Sequence, residues 1–157
     1  MNKKLSEEGV KFLIKEEGER FTAYRCQAGV LTIGIGHTGK EVIEGMKISK
    51  DQSRELLKKD LEKFEKVLNK IVKVEITQYQ FDALISLMFN IGVYAFEKST
   101  LIKKINSNAD ILEVEKEFRK WKIGGGKILL VLQKRREREI KLYKGENYET
   151  SNSRVVQ

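Results

Sequence analysis

One abrupt change of hydrophobic period limits the fold more than any other feature of this chain. Val10, Leu13, Ile14 and Glu17 sit at i, i+3, i+4 and i+7, the stripe of an amphipathic helix. Ser6 stands where a cap belongs, and Glu7 and Glu8 suit the positive first turn. Gly18 can end that helix. From Arg20 to His37 the pattern becomes β-branched and aromatic, over residues 21–26 and 30–35, with Gln27-Ala28-Gly29 between them. This reads as a hairpin with a glycine-containing turn, and Gly34, Gly36 and Gly39 mark bends or close backbone approaches.

Everything after the hairpin reads as helix. Ser49-Lys50-Asp51-Gln52 has the form of a capping box and opens a helix expected over 50–73. Its apolar seam is Leu57, Leu61, Phe64, Leu68 and Ile71, and a helix of that length suits a connection between two lobes. Thr77-Gln78-Tyr79-Gln80 is a second box, opening a helix with Phe81, Leu84, Ile85, Met88 and Phe89 that Asn90-Ile91-Gly92 breaks. Further helices are expected over about 96–106 and 111–121, then a loop at Gly124-Gly125-Gly126, then a last helix over about 128–144. The pattern is α+β, with a small N-terminal sheet lobe (about 1–60) and a mainly helical lobe (about 75–145) in one domain. Residues 146–157 are polar and expected to fray.

Composition narrows the function classes. With 157 residues, 40% hydrophobic and 34% charged, the chain can bury a core without staples. Its lone cysteine, Cys26, excludes an intramolecular disulfide. The first residues carry no continuous apolar region of the signal-peptide kind, and no apolar run is long enough to span a bilayer. The expectation is a protein made soluble in the cytoplasm, which another factor must release if its target lies outside. The formal net charge of +8 favours polyanionic partners without choosing among nucleic acid, anionic lipid and cell wall.

Few residues are placed to do chemistry. Glu17 closes an apolar stripe, so it is expected to face inward where helix meets hairpin, a setting that raises a carboxylic acid toward the range of a general acid. The plainer alternative is a helix-end glutamate tied to an arginine. Cys26 and Thr32 flank the hairpin turn and can approach across adjacent strands. His37 is the only histidine, with no Cys/His cluster around it, so no metal site is expected. A Cys26–His37 nucleophile pair is conceivable, but a structural histidine held by a carboxylate is the commoner arrangement. The run Gln133-Lys134-Arg135-Arg136-Glu137-Arg138-Glu139 reads as a solvated helix face with i, i+3 and i, i+4 ion pairs, unless one arginine reaches Glu17 or an anionic substrate group.

Glu17-Gly18, Ala23-Tyr24, Cys26, Gly29 and Thr32-Ile33-Gly34-Ile35-Gly36-His37-Thr38 resemble the active-site segment of the phage-type lysozymes, glycoside hydrolase family 24. That family's spacing is a Glu, eight residues, an Asp or Cys, five residues and a Thr. The likeness continues through Gly45-Met46-Lys47-Ile48-Ser49, Gln80-Phe81-Asp82-Ala83-Leu84, Phe89-Asn90-Ile91-Gly92, Phe96, Ser99-Thr100-Leu101, Trp121 and Arg135-Arg136 with Glu139. It implies a lysozyme-like fold and hydrolysis of the β-1,4 bond between N-acetylmuramic acid and N-acetylglucosamine in peptidoglycan. Glu17 is then the proton donor, with Cys26 and Thr32 on the water side. The resemblance further makes Asn90 a substrate contact, with His37 and Arg136 structural near the site. It implies no metal or cofactor. A monomer is expected, with no nucleic-acid partner and no stable membrane insertion.

Two positions depart from the family. Asp is commoner where Cys26 stands, which changes the chemistry available there, because a neutral thiol is a poor base and a thiolate beside an ionised Glu17 is costly. A Gly usually precedes the leucine of the closing arginine segment, where this chain has Val131. Two rival functions remain open from sequence. One is a cell-wall cysteine peptidase or amidase using Cys26 and His37. The other is a basic nucleic-acid-binding protein, which the interleaved acids and the lack of a known motif disfavour.

Overall fold

The computed structural model describes residues 2–146, so all of the expected tail beyond Glu146 lies outside the described residues. The described residues are α+β and form two compact units, one of residues 10–63 and one of residues 2–9 with 64–146. The sequence reading places residues 2–9 with the N-terminal lobe, whereas they group with the second unit. Polar ties explain this: the Ser6 backbone amide donates to Asp82 Oδ1 at 3.1 Å, and the Ser6 hydroxyl donates to the same carboxylate. The Leu5 amide donates to Glu65 at 2.7 Å, and Lys3 and the Asn69 side chain exchange two bonds, of 2.9 and 2.8 Å. The Ser6 oxygen also accepts the Gly9 amide at 3.0 Å, capping α1, Glu7–Glu17.

In the unit of residues 10–63, α1 buries Phe12 and Leu13. A three-stranded antiparallel sheet follows, ordered β1 (Arg20–Arg25), β2 (Leu31–Gly34) and β3 (His37–Thr38). Tyr24 pairs with Thr32 and Arg25 with Leu31 across the first hairpin. The third strand was not expected from sequence: it is two residues long, too short to show alternation, and pairs Thr38 with Thr32 and His37 with Ile33. Ile33 and Ile35 are fully buried with Val42, Leu57 and Leu61. Burying each such side chain contributes roughly 1.5–3 kcal/mol.

The second long helix, α2, spans Lys50–Ile71. Its Ser49 box is complete, with Gln52 N–H to Ser49 Oγ at 3.1 Å and Ser49 N–H to Gln52 Oε1 at 2.8 Å. The Thr77 box opening α3, Gln78–Ile91, has both bonds as well. Every residue from Phe81 to Met88 is buried, so α3 is the centre of its unit.

One helix was expected over 96–106, but there are two, α4 (Val93–Glu97) and α5 (Thr100–Asn106). Ser99 separates them: its hydroxyl donates to the Phe96 carbonyl at 2.6 Å and accepts the Ile102 amide at 3.4 Å. After α6, Ile111–Arg119, the glycine loop is the turn of a small hairpin, β4 (Ile123–Gly124) with β5 (Lys127–Ile128). The last helix, α7, spans Leu130–Tyr143 and packs chiefly on α3. Tyr143 meets Phe118 edge-on with ring centres 5.5 Å apart, and burial pushes its hydroxyl up to about 12.

Candidate active site

Glu17 is the last residue of α1 and is half-buried. The helix stops there because Gly18 takes a left-handed φ of 76° while its amide still bonds Ile14 O at 2.7 Å. Two residues on, Glu19 accepts from Ser53 Oγ at 2.7 Å and from Arg54 Nε and Nη2 at 3.1 and 3.2 Å. The Arg54 bond in particular holds the Glu19 carboxyl below the usual carboxylate range, against the opposing effect of burial. The chain leaving α1 is thereby fastened to α2 within one unit.

Cys26 and Thr32 are brought together. Cys26 lies just past β1, where its backbone closes the turn by bonding Val30 O at 3.0 Å and accepting the Gly29 amide at 2.8 Å. Thr32 is 4% exposed, and its register pairing with Tyr24 sets it diagonally across the hairpin from Cys26. The backbone at Val30 and then at Ala28, followed by the Thr32 hydroxyl, draw the half-exposed thiol below its ordinary pKa. The Thr32 hydroxyl also donates to Val30 O at 2.9 Å. It has one proton to give, so it donates either to that carbonyl or to the sulfur, and only the second favours the thiolate.

His37 is engaged on both ring nitrogens, Nδ1 with Asp60 at 2.8 Å and Nε2 with Glu41 at 2.6 Å. Burial pushes the imidazole down, but the bonds to Glu41 and Asp60 outweigh it and hold its pKa above the ordinary histidine value. With both nitrogens on carboxylates, neither is left to take a proton from Cys26. Glu41 and Asp60 were not picked out from sequence. Glu41 stands at i+4 from the histidine, a spacing that could have flagged it.

Asn90 and Arg136 meet in the other unit. Arg136 Nη2 donates to Asn90 Oδ1 at 2.6 Å, which turns the Asn90 amide N–H donors away from the arginine on an exposed residue. Arg136 is 1% exposed; its Nε lies 2.7 Å from Glu139 Oε1 and its Nη1 donates to Trp121 O at 3.3 Å. Arg135 Nε donates to Glu139 Oε2 at 3.2 Å, and Ser86 Oγ donates to the same oxygen at 2.6 Å. Burial pushes the Glu139 carboxyl up, while Arg136, Arg135 and Ser86 oppose that rise. The solvated face expected for residues 133–139 is therefore corrected: the i+3 and i+4 pairs exist, but Arg135, Arg136 and Glu139 are buried against α3.

Among the described residues no group of three or more His, Cys, Asp or Glu could hold a metal, and no helix is long and apolar enough to cross a membrane.

The same fold recurs in solved endolysin and muramidase-domain structures. An endolysin from Escherichia coli O157:H7 phage FAHEc1 superposes with a TM-score of 0.84 at 35% identity, covering 91% of this chain and 94% of that one. The muramidase domain of SpmX from Asticaccaulis excentricus superposes with a TM-score of 0.81 at 33% identity, covering 89% and 97%. The class is that of the lysozyme-like glycoside hydrolases. The endolysin of Salmonella phage P22 is 41% identical over 141 residues, covering 87% of this chain and 96% of its own length. This chain belongs to the phage lysozyme family, which matches it over residues 14–139.

Proposed function

We propose that this protein is an endo-acting muramidase, cleaving the β-1,4 bond between N-acetylmuramic acid and N-acetylglucosamine in bacterial peptidoglycan. The observation that carries this reading is the hairpin register that sets Thr32 diagonally across from Cys26, with Glu17 at the end of the preceding helix, in a chain of the phage lysozyme family. Glu17 protonates the glycosidic oxygen as the bond to the anomeric carbon breaks. Cys26 and Thr32 hold the attacking water, and the sulfur, as the thiolate that its backbone donors favour, takes the water's proton as the oxygen bonds to the anomeric carbon. Asn90 offers its free amide N–H donors to the sugar's carbonyl or hydroxyl oxygens, with Arg136 fixing which way the amide faces. The basic surface draws the enzyme to an anionic wall.

Incubating purified peptidoglycan with the parent should release new reducing ends and no new amino groups. Glu17→Gln should cut that release by at least about a hundredfold, the size of a general-acid contribution, while thermal unfolding still shows a folded protein. A folded Glu17→Gln that keeps parental turnover refutes the assignment. New amino groups with intact glycan would favour the cysteine peptidase instead. The double engagement of His37 already argues against that alternative.

A further inference from the structure

The β4–β5 hairpin and the first turn of α7 carry a cluster of exposed aliphatic side chains. Ile123 and Ile128 are register partners on the two strands, so their side chains share one face of the hairpin. They are 62% and 61% exposed, and Leu130 and Val131, which follow at the start of α7, are 62% and 66% exposed. The neighbouring leucines behave differently. A Cβ placed on Gly124 would lie 2.6 Å from Leu129 Cδ1 and 3.6 Å from Leu132 Cδ1, so these two side chains cover the hairpin backbone. Leu130 and Val131 are left turned outward. Single exposed aliphatics are ordinary on a protein surface, but a cluster of this kind marks an interaction site.

Charge says what the cluster meets. Between Glu117 and Glu137 the sequence holds no acidic residue, while Arg119, Lys120, Lys122, Lys127, Lys134, Arg135 and Arg136 are all basic. Arg135 and Arg136 are buried on Glu139, Arg119 pairs with Glu137, and Lys120 pairs with Glu117. Lys122, Lys127 and Lys134 enter no ion pair among the described residues. Exposed aliphatic side chains set among unpaired lysines match the boundary between acyl chains and anionic headgroups. A glycan offers no acyl phase for Ile, Leu and Val. A second copy of the same face would bring lysine against lysine.

We propose that this hairpin surface docks the protein peripherally on an anionic phospholipid bilayer, with Ile123, Ile128, Leu130 and Val131 dipping below the headgroups and Lys122, Lys127 and Lys134 pairing with phosphates. The contact is shallow adsorption, separate from any spanning segment and from glycan hydrolysis.

Trp121, the only tryptophan, stands two residues before Ile123, so its emission is followed together with sedimentation. Full-length protein should co-sediment with vesicles of phosphatidylglycerol and phosphatidylcholine roughly tenfold better than with phosphatidylcholine alone, with a change in Trp121 emission. Leu130→Ser with Val131→Ser should weaken that binding by roughly tenfold at unchanged net charge, because two aliphatic side chains no longer leave water. Ile123→Thr with Ile128→Thr, which keeps strand propensity, should act in the same direction. Lys58→Gln with Lys66→Gln, on α2, should have little effect. Unchanged binding by both apolar variants overturns the proposal. So does an equal loss from the α2 lysine pair, which would mean that net charge alone drives adsorption. Self-association in sedimentation that the serine pair abolishes, without vesicle binding, assigns the face to a second copy and overturns it as well.

Discussion

Cys26 stands where an aspartate is the commoner family residue, and its surroundings suit a sulfur. A carboxylate there would bring a full negative charge close to Glu17 in sequence and unit, and like charges raise each other's pKa. A thiol carries that charge only part of the time. Cys26→Ser keeps a hydrogen-bonding group of similar size but removes the readily lost proton, so kcat for reducing-end release should fall by about a hundredfold, the low end of general acid–base contributions. Activity equal to the parent would show that the sulfur has no chemical role. His37 gives a prediction at the same scale with a definite sign. Its folded pKa lies above the unfolded value of about 6.5, so its pairing with Glu41 and Asp60 stabilises the fold fully below that pH. The contribution is lost as pH rises through the folded pKa. Thermal midpoints measured from acid to mildly alkaline pH should show the gap between parent and His37→Gln narrowing with rising pH. A gap that widens would contradict the assigned partners.

At the level of the element, α7 shows where physical reading of a helix goes astray. Arg135, Arg136 and Glu139 look like a wet surface because charge on a helix is normally solvated. Here the three satisfy one another in the interior with help from Ser86, 53 positions away from Glu139 in sequence. Glu139→Gln should destabilise the protein by about 3–5 kcal/mol, since two buried guanidinium groups lose their counter-charge; chemical denaturation measures it, and a loss under 1 kcal/mol would mean water reaches the cluster. Elements set by local rules were legible: the boxes at Ser49 and Thr77 start α2 and α3 as read from four residues each. Elements set by a single side chain or by a pair of very short strands were not, as at Ser99 and in β3, β4 and β5. The candidate site divides the same way. The approach of Cys26 to Thr32 follows from the hairpin register, whereas the Asn90–Arg136 bond spans 46 positions and has no local signature.

Taken whole, the molecule carries an excess of eight positive charges. Long-range attraction to an anionic wall is screened within a Debye length of roughly 8 Å at physiological salt and about 3 Å at 1 M. Lysis of whole wall preparations should therefore slow steeply between those conditions. Cleavage of a short neutral glycan fragment should change little, and a parallel fall for both substrates would place the salt effect in the chemistry or the fold instead. The grouping of residues 2–9 with residues 64–146 bears on how such a chain comes to exist. On a ribosome the opening segment, with Ser6 and Lys3, emerges long before Asp82 and Asn69, the groups that will bind it. Residues 10–63 are synthesised as one continuous stretch, so Ser53 and Arg54 follow Glu19 closely, and Asp60 follows His37. Residues 3–6 must wait, unsatisfied and within reach of proteases or chaperones, until the helices that receive them have been made.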